Sequence, residues 1–333
     1  MVAAPLSFDS QTGNGLRPVN LSHDVAQVVG LLNLAFRSAL QAEGRRLGNA
    51  QLAAYPGWTV RWRQFRQGLV PGFVWEVDGR IVGNVSILPT RIMGRFAVAN
   101  VAVHPDFRRR GIARSLMEAA LDMVENHSGQ VVILQVRHDN DGAIRLYRSL
   151  GFHTVGRVTS WEASYSQVRH LPVPVDRRRP DQVGPYFVRP LRANEWRAAW
   201  ELDRQSVEPD LHWPEPLEPD AYRHGVWQRL EQLFSGRRRE YWLALTGQDQ
   251  FAGVATILSE WGRAHHLALR AHPAWRGEVE RPLLAKVLRR LEYLPRRHIR
   301  LDHPAGDVVT TDLLSDANFG VRRTLTVMRY DCR

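Results

Sequence analysis

The stretch Val101 to Leu116 reads Val-Ala-Val-His-Pro-Asp-Phe-Arg-Arg-Arg-Gly-Ile-Ala-Arg-Ser-Leu and concentrates the chemistry of this chain. An apolar strand runs into a loop whose Gly111 and Ala113 let a ligand reach bare backbone N–H groups. Those groups open a helix, and the partial positive charge of a helix start attracts phosphate. Arg108, Arg109, Arg110 and Arg114 add cationic hydrogen-bond donors around the same turn. The pattern suits a diphosphate. It lacks both the Gly-Lys-Ser/Thr of a Walker loop and the three glycines of the dinucleotide motif.

A second block, Asn140-x-x-Ala143-x-x-x-Tyr147-x-x-x-Gly151-Phe152, follows a strand-like run, Val131 to Val136. Tyr147 lies seven residues after Asn140, two helical turns, so both project from one helix face. A phenol with a pKa near 10 stays protonated at neutral pH and can donate to a departing anion. Two plainer readings stand beside these: Asn140 as the cap of its helix, and Tyr147 as core packing beside Leu146 and Phe152.

The elements around these blocks are legible from periodicity. Leu16 to Val19 is a short strand, and Val25, Val28, Val29, Leu32 and Phe36 recur at helical spacing after Ser22. A further amphipathic stretch spans Gln51 to Phe65. Phe73 to Val77 and Ile81 to Leu88 form strands joined by Asp78-Gly79, a favoured hairpin turn. Phe96 to Val103 is a strand, Ile112 to Val124 a helix, and Asn140 to Leu150 a helix ended by Gly151. From 169 to 185 the chain is rich in Pro, Asp and Arg and reads as a linker.

The second half then repeats the first. Ala271-His272-Pro273-Ala274-Trp275-Arg276 echoes Val103-His104-Pro105-Asp106-Phe107-Arg108 at an offset of 168, and Asn318-Phe319 echoes Gly151-Phe152 at 167. Near-constant offsets point to a duplicated fold. The 333 residues, 44% hydrophobic and 24% charged, suit two globular domains. No run reaches the roughly 18 apolar residues of a membrane span, the first residues lack a secretory pattern, and the expectation is a cytoplasmic protein without membrane contact. Cys332 is the lone cysteine, so no thiolate cluster or internal disulfide forms and no metal is expected. The net charge of +11 is spread evenly, which favours an arginine-rich solvated surface over a nucleic-acid site.

The two blocks together resemble the GNAT superfamily of acyl-CoA-dependent N-acetyltransferases, whose hallmark Arg/Gln-x-x-Gly-x-Gly/Ala is matched by Arg108-x-x-Gly111-x-Ala113. The resemblance covers about residues 15 to 165. It implies an α/β (α+β) chain of two tandem GNAT-like domains, each a mixed, mostly antiparallel sheet flanked by helices. The corresponding division is 1–168 as the acetyl-CoA-binding domain, 169–185 as linker and 186–333 as a degenerate copy. The resemblance further implies that Val101, Ala102 and Val103 pair with the pantetheine arm of acetyl-CoA as an added strand would. Arg108, Arg109, Arg110, Gly111, Ile112, Ala113 and Arg114 would hold the pyrophosphate, Asn140 the pantetheine amides, and Tyr147 would protonate the CoA sulfur.

Many relatives carry a glutamate on the fourth strand as base for the amine, whereas Phe96 to Val103 holds no carboxylate. Glu76, His104, Asp139 or a water chain remain as candidates. Counted from Arg276, the second copy has Val279 and Arg281 where the motif needs Gly and Gly/Ala, Glu278 and Glu280 nearby, and Leu314 in place of the tyrosine. This copy is expected to bind no cofactor. Trp196 and Trp200 in it, and Tyr55, Trp58, Trp62 and Phe65 in the first, are read as core before acceptor pocket. The implied activity is acetyl transfer to a primary amine of a small molecule or peptide, by direct attack in a ternary complex. A non-catalytic acyl-CoA-binding regulator and a nucleic-acid-binding protein are the alternatives, and a homodimer is left open.

Overall fold

The computed structural model describes residues 14–42, 71–173, 181–213, 219, 222 and 237–332. The amphipathic stretch with Tyr55, Trp58, Trp62 and Phe65 lies outside them. No described helix is long and apolar enough to cross a membrane. The chain divides into two units: unit 1 is residues 1–154 with 327–333, and unit 2 is residues 155–326.

Unit 1 runs β1 (Gly15–Pro18), α1 (Val25–Ala35), α2 (Arg37–Ala42), β2 (Gly72–Val77), β3 (Arg80–Pro89), β4 (Arg95–Val103), α3 (Ile112–Asn126), β5 (Val131–Arg137) and α4 (Asp141–Ser149). Strands β1 to β4 form an antiparallel meander, with the β2–β3 turn at Asp78 (φ 50°) and Gly79 (φ 75°). β5 then joins parallel to β4, and the last strand of the chain lies beside β5. Helix α1 buries Val28, Val29, Leu31 and Leu32 on one face, against Val74, Ile81 and Ala102. On the other face α3 places Ile112, Leu116, Met117, Ala120 and Val124 over Val82, Val85, Ile87, Phe96 and Val98. Contact there is close: a Cβ on Gly83 would stand 2.8 Å from Ile112 and 2.9 Å from Leu116, so glycine is what lets the start of α3 lie on β3.

The chain continues with β6 (His153–Ala163), β7 (Gln182–Val183), β8 (Tyr186–Pro190), α5 (Trp196–Ser206), β9 (Arg237–Leu245), β10 (Phe251–Glu260), β11 (His265–Ala271), α6 (Glu280–Leu291), β12 (Ile299–Pro304), α7 (Val308–Asp316) and β13 (Gly320–Asp331), of which residues 155–326 make up unit 2. Its sheet order is β13, β6, β12, β11, β10, β9, β8, β7, with β11 and β12 parallel. Helix α5 packs Ala199 and Leu202 with Leu243 and Val254, and Trp196 and Trp200 flank this core as expected. Helices α6 and α7 cover the other face with Leu283, Leu284, Leu288, Leu313 and Leu314.

The units depart from the division at 168 and 186. Residues 155–163, expected to finish the first domain, belong to unit 2, because Val158 to Ala163 pair with Pro304 to Ile299 of β12. Residues 327–333, expected in the second, belong to unit 1. There Met328 is fully buried, Tyr330 packs on Phe152 at 5.3 Å, and Cys332 N–H donates to Gln130 O at 2.9 Å. The expected linker also carries structure at its end, where Gln182 and Val183 pair with Phe187 and Tyr186.

Candidate active site

The site in unit 1 begins where two parallel strands part. β4 and β5 pair only from Arg95↔Val131 to Val98↔Leu134, although β4 continues to Val103 and β5 to Arg137. Beyond Val98 the facing edges are released from one another, and Val101 to Val103 lie on that released stretch. The same segment is irregular toward β3: Asn84 pairs with Ala102 and Ser86 with Ala99, so two steps on β3 oppose three on β4, a bulge. Asn100 in it has φ 55°. Its carbonyl accepts from Asn84 Nδ2 at 2.9 Å, and its own Nδ2 donates to Ser86 Oγ at 3.2 Å. These three side chains were not singled out from sequence. The available signal was three polar residues inside otherwise apolar strands.

β4 leads into a 3-10 turn, Pro105–Phe107, and then into the arginine loop. Arg109 (φ 64°) and Gly111 (φ 81°) both take left-handed backbone, and Gly111 is the N-cap of α3. The Ser115 N–H is bonded to Gly111 O, so the amides before it stand at the open end of the helix. Glycine at 111 is required by its φ, because a Cβ there would meet nothing within 4 Å. Arg108 Nε reaches Val103 O at 3.4 Å, Arg110 lies over the Phe107 ring at 4.9 Å, and Arg114 donates to Ser149 Oγ at 2.6 Å. Ile112 is buried and anchors the helix; Ala113 is half-buried.

Asn140 is exposed and caps α4, its Oδ1 accepting from Ala143 N–H at 3.2 Å. The capping role is therefore real, and the Nδ2 donor of the same amide is not used by it. Tyr147, on the same helix, is 6% exposed within the core of unit 1 and packs on Phe152 at 5.9 Å. Burial pushes its pKa up to about 12, so the phenol is held as a donor.

The whole of this arrangement falls within residues 35–152, the segment matched by the model of the Acetyltransferase (GNAT) family. Over those residues the chain is similar to the GNAT family. A ribosomal protein bS18-alanine N-acetyltransferase of Salmonella typhimurium is 42% identical over 62 residues, 19% of this chain and 42% of that protein. The chain thus spans less than half of that relative. A GCN5-related N-acetyltransferase structure from Sphaerobacter thermophilus superposes with a TM-score of 0.64 at 17% identity, covering 96% of this chain and 95% of that one. A tandem GNAT protein from the clavulanic acid biosynthesis pathway gives 0.57 at 17%, covering 96% and 98%. At such identities the likeness establishes the fold: two GNAT-like units, α+β, each a mixed sheet flanked by helices.

None of the three candidate bases of unit 1 is poised as a free acceptor. Glu76 is paired with Arg17 at 2.6 Å, which also holds Asp24 at 2.6 Å. His104 is buried, with Arg80 donating to its Nε2 at 2.8 Å and the Asp106 N–H facing its Nδ1 at 3.4 Å. His272 makes the matching turn contact to Ala274 in unit 2, which marks His104 as a loop-shaping residue. Asp139 is hydrogen-bonded by Arg137 at 2.7 and 2.9 Å, which holds its carboxyl below the usual range.

In unit 2 the counterpart of the Gly111 turn is filled by the chain itself. Val279 and Leu283 abut Gly253 as Ile112 and Leu116 abut Gly83, which aligns the helices one residue closer than the count from Arg276. Glu278 then stands for Gly111 and Glu280 for Ala113. The Glu280 carboxylate, 2% exposed, accepts from the Gly277 N–H at 2.9 and 3.1 Å. Burial raises its pKa.

Proposed function

We propose that unit 1 transfers an acetyl group from acetyl-CoA to a primary amine by direct attack in a ternary complex. The observation that carries this is the left-handed turn at Gly111, opening α3 among four arginines at the end of a strand edge that β5 has released. The diphosphate would sit on the amides from Arg109 to Arg114, where the helix end and the arginines supply positive charge. Val101 to Val103 would pair with the pantetheine arm, and the Asn140 Nδ2 would bond one of its amides.

In the reaction the neutral amine nitrogen bonds to the thioester carbon, the C–S bond breaks with its electron pair on sulfur, Tyr147 donates its proton to that sulfur, and the proton shed by the new amide nitrogen returns through water to restore the phenol. The proton of the acceptor ammonium leaves through a water chain, since Glu76, His104 and Asp139 are all engaged. Holding thioester and amine in register can supply much of the rate. The curated relative named for acetylating ribosomal protein bS18 at alanine makes a protein α-amine the first acceptor to try, alongside small amines.

Calorimetry with acetyl-CoA tests the cofactor directly, and the filled turn at Glu280 sets the expected stoichiometry at one per chain. No binding would overturn the reading, and two equal sites would overturn the silence of unit 2. The engaged state of all three bases favours a second reading, an acyl-CoA-binding regulator with little turnover. Release of free CoA across a panel of amines and N-terminal-alanine peptides separates the two.

A further inference from the structure

Arg114, in the first turn of α3, reaches across to the last turn of α4. Its Nη2 donates to Ser149 Oγ at 2.6 Å, and the Ser149 hydroxyl donates in turn to Leu146 O at 2.7 Å. The hydroxyl proton is thus committed to the α4 backbone, which leaves the oxygen lone pairs to the guanidinium. A cation at a helix start is opposed by the partial positive charge there, whereas the carbonyl end of α4 favours it. Glu118, one turn along α3, stands 3.7 Å from Arg114 Nη1 with half of its side chain exposed, a pair that contributes little.

Unit 2 keeps this tie and changes its partner. With Val279 standing for Ile112, the helices align at an offset of 167, so Arg281 stands for Arg114. Asp316 stands for Ser149 at the same offset, each the last residue of a nine-residue helix. Arg281 Nη2 lies 3.6 Å from Asp316 Oδ2. A contact that outlives the glycine motif belongs to the fold. What the two copies do not share is charge. In unit 2, where Glu280 fills the turn, the arginine faces a carboxylate; in unit 1, where Gly111 opens the helix, it faces a hydroxyl.

A hydroxyl can aim a guanidinium without neutralising it. We propose that Ser149 is a positioning residue for the acyl donor: it holds Arg114 beside the α3 turn with its charge intact, so that the guanidinium meets the diphosphate already ordered. Arginine has many rotamers, and a side chain ordered before binding removes that entropy loss from the binding step. This inference rests on the acetyl-CoA assignment above.

The test compares two acyl donors on the full-length protein: acetyl-CoA, and S-acetylpantetheine, which has the thioester and the arm but no diphosphate. Ser149→Ala should weaken acetyl-CoA binding in calorimetry by about three- to tenfold, the range for ordering one long side chain. Its KM and kcat with S-acetylpantetheine, on the best amine from the panel, should stay at the wild-type values. Ser149→Thr keeps the hydroxyl and should bind acetyl-CoA as the wild type does. Ser149→Asp copies the ion pair of unit 2 and should weaken acetyl-CoA by more than the alanine does. In an Arg114→Ala background, Ser149→Ala should cause no further loss. Wild-type acetyl-CoA affinity in Ser149→Ala overturns the positioning role. So does a loss that persists without Arg114 or falls equally on S-acetylpantetheine, because Ser149 would then only hold α4 in place. Where turnover of S-acetylpantetheine is too slow to measure, the Arg114→Ala background decides alone. Failure of the wild type to bind acetyl-CoA overturns instead the assignment beneath.

Discussion

Asn140 caps the helix that carries Tyr147, and the two side chains experience different surroundings. The Tyr147 ring is 6% exposed and its pKa stands at about 12, so at neutral pH it is a proton donor and never a base. Tyr147→Phe keeps the ring in the core and removes only that donor. Turnover should fall by roughly 10²-fold or more, in line with general-acid contributions, with acetyl-CoA affinity nearly intact by calorimetry. A full-speed variant would return the residue to packing alone. Both roles weighed from sequence are compatible with what is seen, because a donor shielded from water is also a packed ring. For Asn140 the cap was legible from its place before an apolar period, and the structure adds that the cap uses only one of its two polar atoms.

At the scale of elements, the α3 start depends on backbone conformation more than on room. Gly111→Ala meets no atom but must hold φ near 81° to keep the turn, at a cost of about 1–2 kcal/mol. Paid on binding, that corresponds to roughly 5- to 30-fold weaker acetyl-CoA affinity, while Gly111→Glu adds opposing charge and should abolish it. Equal affinity of wild type and both variants would move the diphosphate elsewhere. In α7 the cap is Asp307, bonded to His303 at 2.7 Å and to the Thr310 N–H at 3.0 Å. Burial alone would raise its pKa, but these bonds outweigh that and bring it down from 3.8 to about 2. A depressed carboxyl stabilises the fold above its unfolded pKa and loses that contribution as pH falls from about 4 toward 2. Asp307→Ala should therefore cost about 1 kcal/mol in urea unfolding at pH 7 and much less near pH 2. The motif loop and most helix limits were readable because caps, glycines and periodicity are local signals. The bulge was not, since a register shift is a relation between two strands.

Across the molecule, the units do not end where the repeats do. Removing residues 327–333 takes from unit 1 the buried Met328, the Tyr330–Phe152 contact and the Tyr330 hydrogen bond to Glu125 at 2.7 Å. Losing one buried Met alone costs about 2–5 kcal/mol. The truncated chain should lose acetyl-CoA binding or melt earlier in that unit, although every proposed site residue remains. Unchanged melting and affinity would contradict the assignment of the C-terminal segment to unit 1. The same division predicts that 186–333 expressed alone is poorly folded, because β12 would lack its partner, Val158 to Ala163.

The sequence by itself determined the duplication, the glycine turn that opens α3, the helix that Asn140 caps and that bears Tyr147, and the decay of the motif in the second copy. All of these are carried by residue type and short spacing. Tertiary structure decided which strand completes which sheet, that Asn84 holds the β4 bulge, that Glu280 fills the turn in unit 2, and that the candidate bases are tied into ion pairs or hydrogen bonds. Strand edges recruit partners by backbone hydrogen bonds, which are the same for every residue type. Two copies of one fold offer nearly equivalent edges, so a pattern along the chain cannot say which edge a given strand will join.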